Sequence, residues 1–327
     1  LTLRSTYHEL LLEDGDRLSV LDSVPSQWKP GDPVAVLVHG LTGCARSPYV
    51  ARVADRLVSL GVRAVRMNLR GAGSGFGAAR GIYHAGRTDD VRRVAEWATS
   101  QAKGSPLALM GFSLGANLVL KLAAEAVERP LEGLDCVLAA NPPADLAVCC
   151  RAMQKRRNWI YDRNFLSALR VEIRRLHALF PDLGPVNYDR LRSVYDFDEH
   201  YTAPRNGFAG AEDYYSQSSC APAIERIEVP GLVIHSLDDP FIPSEVFDGI
   251  RFPSSLALEL IVSGGHLGYL SRASWGGDHR WLDARLVAWL MGRWGANIAA
   301  PFGVESGRFP EVHATRGGPV DVRSQVQ

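Results

Sequence analysis

Apolar runs and helical patterns alternate along much of this 327-residue chain, and the alternation constrains its fold more than any other feature. From Val34 to Pro143, runs such as "VAVLVHG" and "PLALM" are separated by amphipathic segments such as "YVARVADRLVSLG". Short runs this apolar are typical of strands buried on both faces, and strands that alternate with helices build a mostly parallel sheet. We therefore predict an α/β fold, with helices on both faces of a mostly parallel central sheet and an antiparallel hairpin in "YHELLLEDGDRLSVLDSV" ahead of it.

The alternation is interrupted between Ala144 and Ser219. This segment contains a helical pattern, "NFLSALRVEIRRLHALF", and then an irregular aromatic stretch. A segment of this length is too long for a bare loop inside a compact domain. We predict that residues 1–143 and 220–299 form the core of the fold and that residues 144–219 are an inserted helical cap. Residues 300–327 are polar, with Gly and Pro, and are expected to lie loosely on the surface.

The composition excludes several classes of protein. Hydrophobic residues make up 46% and charged residues 22%, which indicates a globular protein with a sizeable core. The 36 basic and 36 acidic residues balance, so we expect no nucleic-acid partner, because phosphate binding needs a basic surface. The most basic stretch, "RAMQKRRNW" from Arg151, is interpreted as a solvated helix face. Five cysteines without a C-x-x-C pair favour neither a disulfide framework nor a zinc site, and they indicate a reducing, cytoplasmic location.

The most apolar long window, "LALMGFSLGANLVLKLAA", is interrupted by glycine, serine, asparagine and lysine. It therefore fits a buried strand and helix better than a membrane span. No signal-peptide pattern is visible in the first residues of the sequence. Membrane association is possible but not indicated, and because the chain begins with Leu1 and not with methionine, an anchoring segment ahead of it is left open.

The stretch "GFSLG", Gly111 to Gly115, lies between an apolar run and a helical pattern. In this context a G-x-S-x-G sequence predicts a sharp strand-to-helix turn that exposes the serine, with glycines where side chains would collide with the turn. A serine hydroxyl is a weak nucleophile at neutral pH, so it needs a base beside it and donors for the developing oxyanion. We predict Ser113 as a nucleophile, with a chance glycine-rich turn as the alternative.

The base is expected to be a histidine in a loop that follows a later strand. Of the nine histidines, His266 in "SGGHLGYL" fits best, because it follows the last strand pattern and precedes the closing helix. His235 lies inside a strand pattern and His279 at the start of a helix, which favours structural roles for both. His39, in "VHGLTG", is interpreted as shaping the loop after the first parallel strand.

Backbone donors for an oxyanion are predicted from two loops. One is the N–H of Leu114, directly after the serine, and the other belongs to the "HGLTG" loop, at Leu41 or at Thr42. Both loops follow the carboxyl ends of neighbouring strands, where open α/β sheets place their sites. We expect Ser113 and these backbone donors to meet at the opening of one active site beneath the cap.

Two adjacent aspartates in "HSLDDPFIP" compete for the role of the acid. The order serine, acid, histidine is that of the α/β-hydrolase triad, whose acid commonly precedes a short apolar turn ending in proline, as Asp239 does. Neighbouring side chains of an extended chain point in opposite directions, so Asp238 is predicted to bond a backbone N–H two residues on. A metal site built from this pair with His266, and with Asp278 or His279, lacks a familiar ligand spacing, so no metal is predicted.

Two further motifs suggest other chemistry. The stretch "RGAGSGFGAARG" from Arg70 resembles a phosphate cradle, but it lacks a Lys-Ser/Thr ending and follows the second parallel strand, so a flexible rim loop is the preferred interpretation. The stretch "HAGRTD" places His84 and Asp89 at an H-x4-D spacing that some acyltransferases share. We interpret Asp89 and Asp90 instead as first-turn residues of a helix capped by Thr88.

Together these residues resemble the YheT-like branch of the α/β-hydrolase superfamily, which is related to the α/β-hydrolase-domain lipases and phospholipases. The resemblance runs from about Val34 to Trp289. It is carried by "HGLTG", "SPY", "RG" with "YHAGRTDD", "GFSLGAN", "NPP", "DFDEHYTAP" with "GFAGAEDYY", "HSLDDPFIP" and "GGHLGY". It is weaker in "GAGSGFGAARG", where relatives tend to have a cysteine and fewer glycines. The resemblance implies an α/β-hydrolase fold and an esterase or lipase-like carboxylic ester hydrolase with the triad Ser113, Asp239 and His266.

The sequence therefore predicts a serine ester hydrolase that forms an acyl-enzyme on a small-molecule or lipid ester and needs no cofactor. Two alternatives stay open: a lipid acyltransferase or phospholipase that uses the same serine, and a non-catalytic ligand-binding member of the fold. Four aromatic residues of the cap are expected either to line an apolar acyl pocket or to form the core of the cap: Trp159, Tyr161, Phe165 and Phe208.

Overall fold

The computed structural model of the chain describes residues 3–271, 279–295, 311–312 and 318–320. In these residues the strands are β1 (Thr6–Leu11), β2 (Arg17–Ser23), β3 (Val34–Val38), β4 (Arg63–Met67), β5 (Leu107–Phe112), β6 (Leu134–Ala140), β7 (Gly231–Ser236), β8 (Arg251–Phe252), β9 (Leu256–Ile261), β10 (Glu311–Val312) and β11 (Gly318–Pro319). The α-helices are α1 (Pro48–Ser59), α2 (Thr88–Ser100), α3 (Leu114–Glu125), α4 (Leu146–Met153), α5 (Trp159–Leu179), α6 (Val194–Phe197), α7 (Ala203–Arg205), α8 (Ala211–Ser218) and α9 (Trp281–Arg293). A π-helical turn, Asp198–Thr202, separates α6 from α7.

One sheet of nine strands runs through the described residues in the order β1-β2-β4-β3-β5-β6-β7-β9-β10. All neighbours from β4 to β9 in this order are parallel. At one edge β2 pairs antiparallel with both β1 and β4. The predicted hairpin and the mostly parallel central sheet are thus confirmed.

Helices cover both faces of this sheet because side chains alternate along each strand. In β3, Val34, Val36 and Val38 join the hydrophobic core beneath α2 and α3, whereas Ala35 and Leu37 join the core beneath α1 and α9. All five residues are buried. Burial of both faces explains why the strand appears in the sequence as an uninterrupted apolar run.

The segment 144–219 lies between β6 and β7 and contains helices α4 to α8. Its middle has a small core of its own, which includes Leu166, Ile173 and Phe197. Its two ends, in contrast, contribute side chains such as Leu146 and Tyr214 to the main core. We propose that this segment is a cap, as the sequence predicts, and that its first and last helices anchor it to the sheet domain formed by residues 1–143 and 220–299.

Two local predictions differ from the structure. Helix α2 begins at Thr88 itself, and neither Thr88 nor the preceding Arg87 makes a side-chain cap hydrogen bond, so Thr88 is not an N-cap. The described residues of the tail are not loose, because β10 pairs with β9 and β11 pairs with β8. Strand pairing uses backbone N–H and C=O groups, which a polar composition does not reveal. No helix in the described ranges is both long and apolar enough to cross a membrane.

Candidate active site

Ser113 lies on the sharp turn between β5 and α3. Its backbone has φ 53° and ψ −121°, which non-glycine residues rarely adopt, so the predicted strained turn is present. A Cβ on Gly111 would lie 2.2 Å from the carbonyl oxygen of Gly115, inside the turn. A Cβ on Gly115 would lie 2.3 Å from the carbonyl oxygen of Val38, so this glycine is required by the neighbouring strand and not by the turn.

His266 lies between Ser113 and Asp239. Its Nε2 is 3.0 Å from the Oγ of Ser113, and its Nδ1 is 2.7 Å from the Oδ2 of Asp239. An ionised carboxylate only accepts hydrogen bonds, so Nδ1 carries the proton and Nε2 faces the serine as an acceptor. The structure thus brings together the three residues that the sequence predicted as nucleophile, base and acid.

The carboxyl group of Asp239 is enclosed by hydrogen-bond donors. Oδ2 accepts from His266 and from the Nδ2 of Asn141 at 2.6 Å, and Oδ1 accepts from the backbone N–H groups of Phe241 at 2.9 Å and Ile242 at 3.1 Å. Burial acts to raise the pKa of Asp239, but the hydrogen bonds from His266 and from the backbone N–H of Phe241 lower it, and the net result is a pKa below the usual value. The carboxyl is therefore ionised where it faces the imidazole.

Asp238 does not make the bond predicted for it. The hydrogen bond to an N–H two residues on is made by Asp239, to Phe241. The Oδ1 of Asp238 instead accepts from the backbone N–H groups of Gly264 at 2.8 Å and Gly265 at 2.7 Å. These amides belong to the loop that carries His266, so Asp238 holds the backbone of this loop and Asp239 holds the imidazole.

The loop after β3 is held by two tyrosine hydroxyls. The N–H of Gly40 donates to the Oη of Tyr49 at 3.0 Å, and the N–H of Thr42 donates to the Oη of Tyr83 at 2.8 Å. Thr42 is thus occupied as a donor, whereas no acceptor for the N–H of Leu41 is present among the described residues. The geometry favours Leu41 over Thr42 as the second oxyanion donor.

This loop lies directly against the nucleophile. A Cβ on Gly40 would lie 2.9 Å from the Cβ of Ser113 and 3.4 Å from its Oγ. On the other side of the serine, Leu114 is the first residue of α3, and its N–H also has no acceptor in the described part of the chain. The N–H of Leu114 therefore lies at the positive end of the α3 dipole, which favours a negative charge beside it.

Two further residues that support this arrangement were given no role by sequence reasoning. Asn141 follows β6 with a φ of 47°, and its Nδ2 donates to Asp239 while its Oδ1 accepts from the Oη of Tyr269 at 2.6 Å. Both residues are buried. Asn141 lies in "NPP" at the carboxyl end of a strand, which is the signal that could have identified it.

A cleft of about 350 Å³ opens in front of Ser113. Its lining is mostly apolar and consists of Gly40, Leu41, Pro48, Tyr49, Arg52, Ser113, Phe165, His266, Leu267 and Gly268. Segment 144–219 contributes Phe165 to this lining. An apolar cleft with a few convergent polar groups is what a small-molecule site requires.

The four aromatic residues predicted for an acyl pocket are placed differently. Phe165 lines the cleft. Tyr161 is one layer behind, with its ring 4.7 Å from that of Phe241, which in turn lies 4.7 Å from the ring of His266. Trp159 is exposed and does not line the cleft. Phe208 does not line it either, because its partly buried ring packs against Tyr214, at 5.3 Å, on the main core.

The H-x4-D motif does not form a joint site. The Nδ1 of His84 accepts from the N–H of Gly86 at 3.1 Å, and burial lowers the pKa of His84 to about 3, so its ring is neutral. Asp89 is on the surface and pairs with Arg129 at 2.9 Å. The structure therefore offers no acid–base pair at this motif.

The glycine-rich stretch after β4 begins at a buried arginine. Arg70 donates to both carboxylate oxygens of Asp90, at 3.0 and 2.7 Å, and to Asp16 at 2.7 Å. Its charge is thus neutralised within the protein and is not available to a phosphate. Asp90 does more than face the dipole of α2, because it forms this buried ion pair.

The three histidines that sequence reasoning set aside, His39, His235 and His279, have structural environments. His39 donates from Nδ1 to the carbonyl oxygen of Gly40 at 2.7 Å and accepts from the N–H of Leu69 at 3.0 Å, so it shapes the loop after β3. His235 is buried in β7, and His279 hydrogen-bonds the carbonyl oxygen of Ser271. No group of three potential metal ligands occurs in the described ranges, and Asp278 lies outside them.

Comparison with known proteins agrees with this geometry. Residues 33–273 match the family model described as alpha/beta hydrolase fold. The chain is 32% identical, over 87% of its own length and 84% of the relative's, to YheT of Escherichia coli (strain K12), a candidate esterase. It is 26% identical to the human phospholipase ABHD3 over 73% of the chain and 58% of that protein. It is 27% identical to the monoacylglycerol lipase of Saccharomyces cerevisiae (strain ATCC 204508 / S288c), over 79% and 59% of the two chains.

Solved structures show the same fold at lower identity. The Pyrococcus furiosus esterase Pf2001 superposes with a TM-score of 0.59 at 14% identity, over 90% of this chain and 91% of that one. Est1E from Butyrivibrio proteoclasticus, with ferulic acid bound, gives 0.56 at 15% identity, over 88% and 99%. On these matches, and on the sheet and the turn that carries Ser113, the chain belongs to the α/β-hydrolase family, in the YheT-like branch of esterase- and lipase-like hydrolases.

Proposed function

We propose that the chain is a serine carboxylic ester hydrolase that acts through an acyl-enzyme. One observation carries the proposal: Ser113, His266 and Asp239 form a continuous chain of hydrogen bonds, 3.0 and 2.7 Å long, at the mouth of a cleft. Nucleophile, base and orienting acid in this order are what activation of a serine hydroxyl requires.

In the first step, His266 takes the proton of Ser113 while the Oγ attacks the ester carbonyl carbon. The carbonyl oxygen becomes an oxyanion, for which the N–H groups of Leu41 and Leu114 are the proposed donors. Collapse of this intermediate breaks the ester bond, and His266 returns the proton to the departing alcohol. Asp239 stays ionised and stabilises the imidazolium that forms in between.

In the second step, water attacks the acyl-enzyme. His266 now accepts a proton from water, and the same two amides hold the second oxyanion. Collapse releases the carboxylic acid and restores the hydroxyl of Ser113. The water supplies the second oxygen of the acid, so no cofactor enters the balance.

The substrate class follows from the cleft and the relatives. Leu41, Pro48, Phe165 and Leu267 present an apolar lining next to Ser113, which suits the acyl chain of an ester. The relatives named as lipase and phospholipase act on lipids, so we propose a small or lipid ester with an apolar acyl group as the substrate.

The test is hydrolysis of a p-nitrophenyl ester series from acetate to palmitate. Ser113→Ala should abolish turnover of every ester and should lose covalent labelling by a fluorophosphonate. Ser216→Ala, at an exposed serine of α8, is the matched control and should behave as wild type. Equal activity of wild type and Ser113→Ala would refute the mechanism.

The two alternatives give different outcomes in the same experiment. Acyl transfer to an added alcohol in preference to water would identify an acyltransferase that uses Ser113, although His84 and Asp89 no longer support that function. Absence of fluorophosphonate labelling in the folded wild type would instead indicate a ligand-binding member of the fold.

A further inference from the structure

Three consecutive large apolar side chains are exposed where α5 begins. The exposed fractions are 56% for Trp159, 61% for Ile160 and 40% for Tyr161. Elsewhere in the described ranges, exposed large apolar residues are never adjacent in sequence. Single exposed apolar residues are ordinary, whereas a contiguous apolar group marks an interaction surface.

Basic side chains flank this apolar group in the sequence. Arg151, Lys155, Arg156, Arg157 and Arg163 are all exposed, and none of them pairs with an acidic side chain within the described residues. The chain as a whole has a net charge of zero, so this is a local concentration of positive charge. We call residues 151–163 the basic corner.

The basic corner is not the solvated helix face that the sequence predicted. Helix α4 ends at Met153, a 3-10 turn spans Arg156–Asn158, and α5 starts at Trp159, so the basic residues lie around a bend between two helices. The apolar side chains follow directly after the bend. Apolar side chains flanked by basic ones are characteristic of a protein surface that rests in the interface of a membrane.

The bend is fixed by one buried side chain. The Nδ2 of Asn158 donates to the carbonyl oxygen of Ala152 at 2.9 Å and to that of Pro240 at 2.7 Å. Pro240 directly follows Asp239, so the basic corner is tied to the loop of the proposed triad acid. A surface held in this way presents its apolar side chains without further ordering.

The same corner is close to the cleft. The rings of Tyr161 and Phe165 both pack on Phe241, at 4.7 and 5.6 Å, and Phe241 packs on His266. Only the side chain of Phe241 thus lies between the exposed Tyr161 and the imidazole of His266. A lipid that leaves a membrane at this corner would travel a short distance to Ser113.

We infer that the basic corner is a docking surface for an anionic phospholipid bilayer, into whose interface Trp159 and Ile160 insert while the surrounding basic side chains contact the headgroups. The inference goes beyond the proposed hydrolysis, since docking needs no turnover. Trp159 and Tyr161 have rings on which a base could stack, but Ile160, the most exposed of the three, is aliphatic and has none, so a bilayer fits the whole group better than a nucleic acid.

Sedimentation with vesicles tests the inference. The full chain should sediment with vesicles of phosphatidylcholine and phosphatidylglycerol, and far less with phosphatidylcholine alone. Lipids brominated in their acyl chains should quench part of the tryptophan fluorescence, and Trp159→Phe should remove the quenched component. Hydrolysis of soluble p-nitrophenyl butyrate, measured alongside, reports separately on the proposed function.

Two variants test the basic residues and the apolar residues of the basic corner separately. Arg156→Ala/Arg157→Ala should weaken binding to anionic vesicles about 25-fold, since each basic residue near such a surface contributes about a fivefold factor. Ile160→Ser should weaken it about tenfold through lost apolar contact. Both variants should hydrolyse p-nitrophenyl butyrate like wild type, which also shows that they fold.

Matched controls are available away from the corner. Lys29→Ala/Lys103→Ala removes two exposed charges that precede β3 and β5, at the amino-terminal ends of these strands, whereas Ser113 follows the carboxyl end of β5. Val127→Ser removes an exposed apolar side chain after α3. These controls should bind vesicles like wild type. Failure of the wild type to sediment with anionic vesicles, or equal binding by wild type and both corner variants, would overturn the inference. Tighter binding to an oligonucleotide that the corner variants abolish would also overturn it, in favour of a nucleic-acid surface.

Discussion

The turn that carries Ser113 and the loops that face it are held in place by different forces. The turn is fixed by backbone atoms that approach so closely that Gly111 and Gly115 admit no Cβ. The histidine loop is fixed by side chains from other strands: Asp238 binds two of its amides, and Asn141 binds Tyr269. Backbone crowding requires glycine at particular positions, which can be recognised in the sequence. A hydrogen bond from a hydroxyl or carboxylate far away in the chain requires no particular residue in the loop that it stabilises.

The largest loss of kcat is expected when Asp239, the acid that contacts His266, is replaced. Asp239→Asn should lower kcat by about 10⁴-fold, because the amide favours the wrong tautomer of His266. Asp238→Asn should lower it only about tenfold, since the amide oxygen can still accept from one or both loop amides but without charge. Steady-state kinetics on p-nitrophenyl butyrate would measure both. Equal losses would show that the division of roles between the neighbouring aspartates is wrong.

The next effect concerns the contact between the oxyanion loop and the nucleophile. Gly40→Ala would place a methyl group 2.9 Å from the Cβ of Ser113, so the loop must move away and carry the N–H of Leu41 with it. We expect kcat to fall about 10²- to 10³-fold, the loss seen when one oxyanion donor is removed. Gly292→Ala, in α9 with open space around it, is the control and should leave kcat unchanged. Unimpaired kcat in Gly40→Ala would remove the loop from the mechanism.

A smaller loss is expected when a side chain that holds the loop is shortened. Tyr83→Phe removes the acceptor of the Thr42 N–H but leaves the ring, and kcat should fall about tenfold, which corresponds to one neutral hydrogen bond. KM should change little, and affinity for a trifluoromethyl ketone, which forms the oxyanion, should fall in parallel with kcat. Tyr7→Phe, at an exposed tyrosine of β1, is the control. A change in KM alone would indicate a role in substrate binding instead.

This difference in how the parts are held also explains what the sequence could predict. Ser113, His266 and the alternation of strands and helices around them follow from local patterns: apolar period, glycine spacing and position after a strand. Tyr49, Tyr83, Asn141 and Tyr269 lie within the motifs that carry the family resemblance, yet none received a role. Which hydroxyl reaches which amide depends on how segments far apart in sequence pack, and that information is absent from any single stretch.

The same limit accounts for the misplaced details of the segment 144–219. Phe165 and Phe208 have the same chemistry in the sequence, but Phe165 lines the cleft and Phe208 packs against the main core. The basic residues from Arg151 onward match a helical pattern, but α4 ends at Met153, and Lys155, Arg156 and Arg157 lie in the bend before α5. Both outcomes depend on tertiary contacts, Pro240 with Asn158 and Tyr214 with Phe208, that local periodicity does not encode.

The last prediction concerns Glu172, which contacts Tyr83, and we expect it to affect the stability of the protein more than its turnover. The hydroxyl of Tyr83 lies 3.4 Å from the Oε2 of Glu172 in α5, and burial raises the pKa of Glu172 from 4.5 to about 7. The folded state therefore holds this proton more tightly than the unfolded chain, so the free energy of unfolding should fall as pH rises between these two values. Asp198, whose pKa burial also raises to about 7, adds to the same trend.

Glu172→Gln should therefore flatten the pH dependence of stability without abolishing it. Between about pH 5 and pH 8 the wild type should lose roughly 1 to 3 kcal/mol more than the variant, as judged from urea unfolding at each pH. The exposed Glu132→Gln is the control and should follow the wild type. If Glu172→Gln also follows the wild type, the carboxyl is ionised in the folded protein, and Tyr83 then rests against a charge and not against a neutral acid. In that case Tyr83→Phe should cost more than tenfold in kcat, because the hydroxyl would be a stronger acceptor for the loop when its own proton is drawn to a carboxylate.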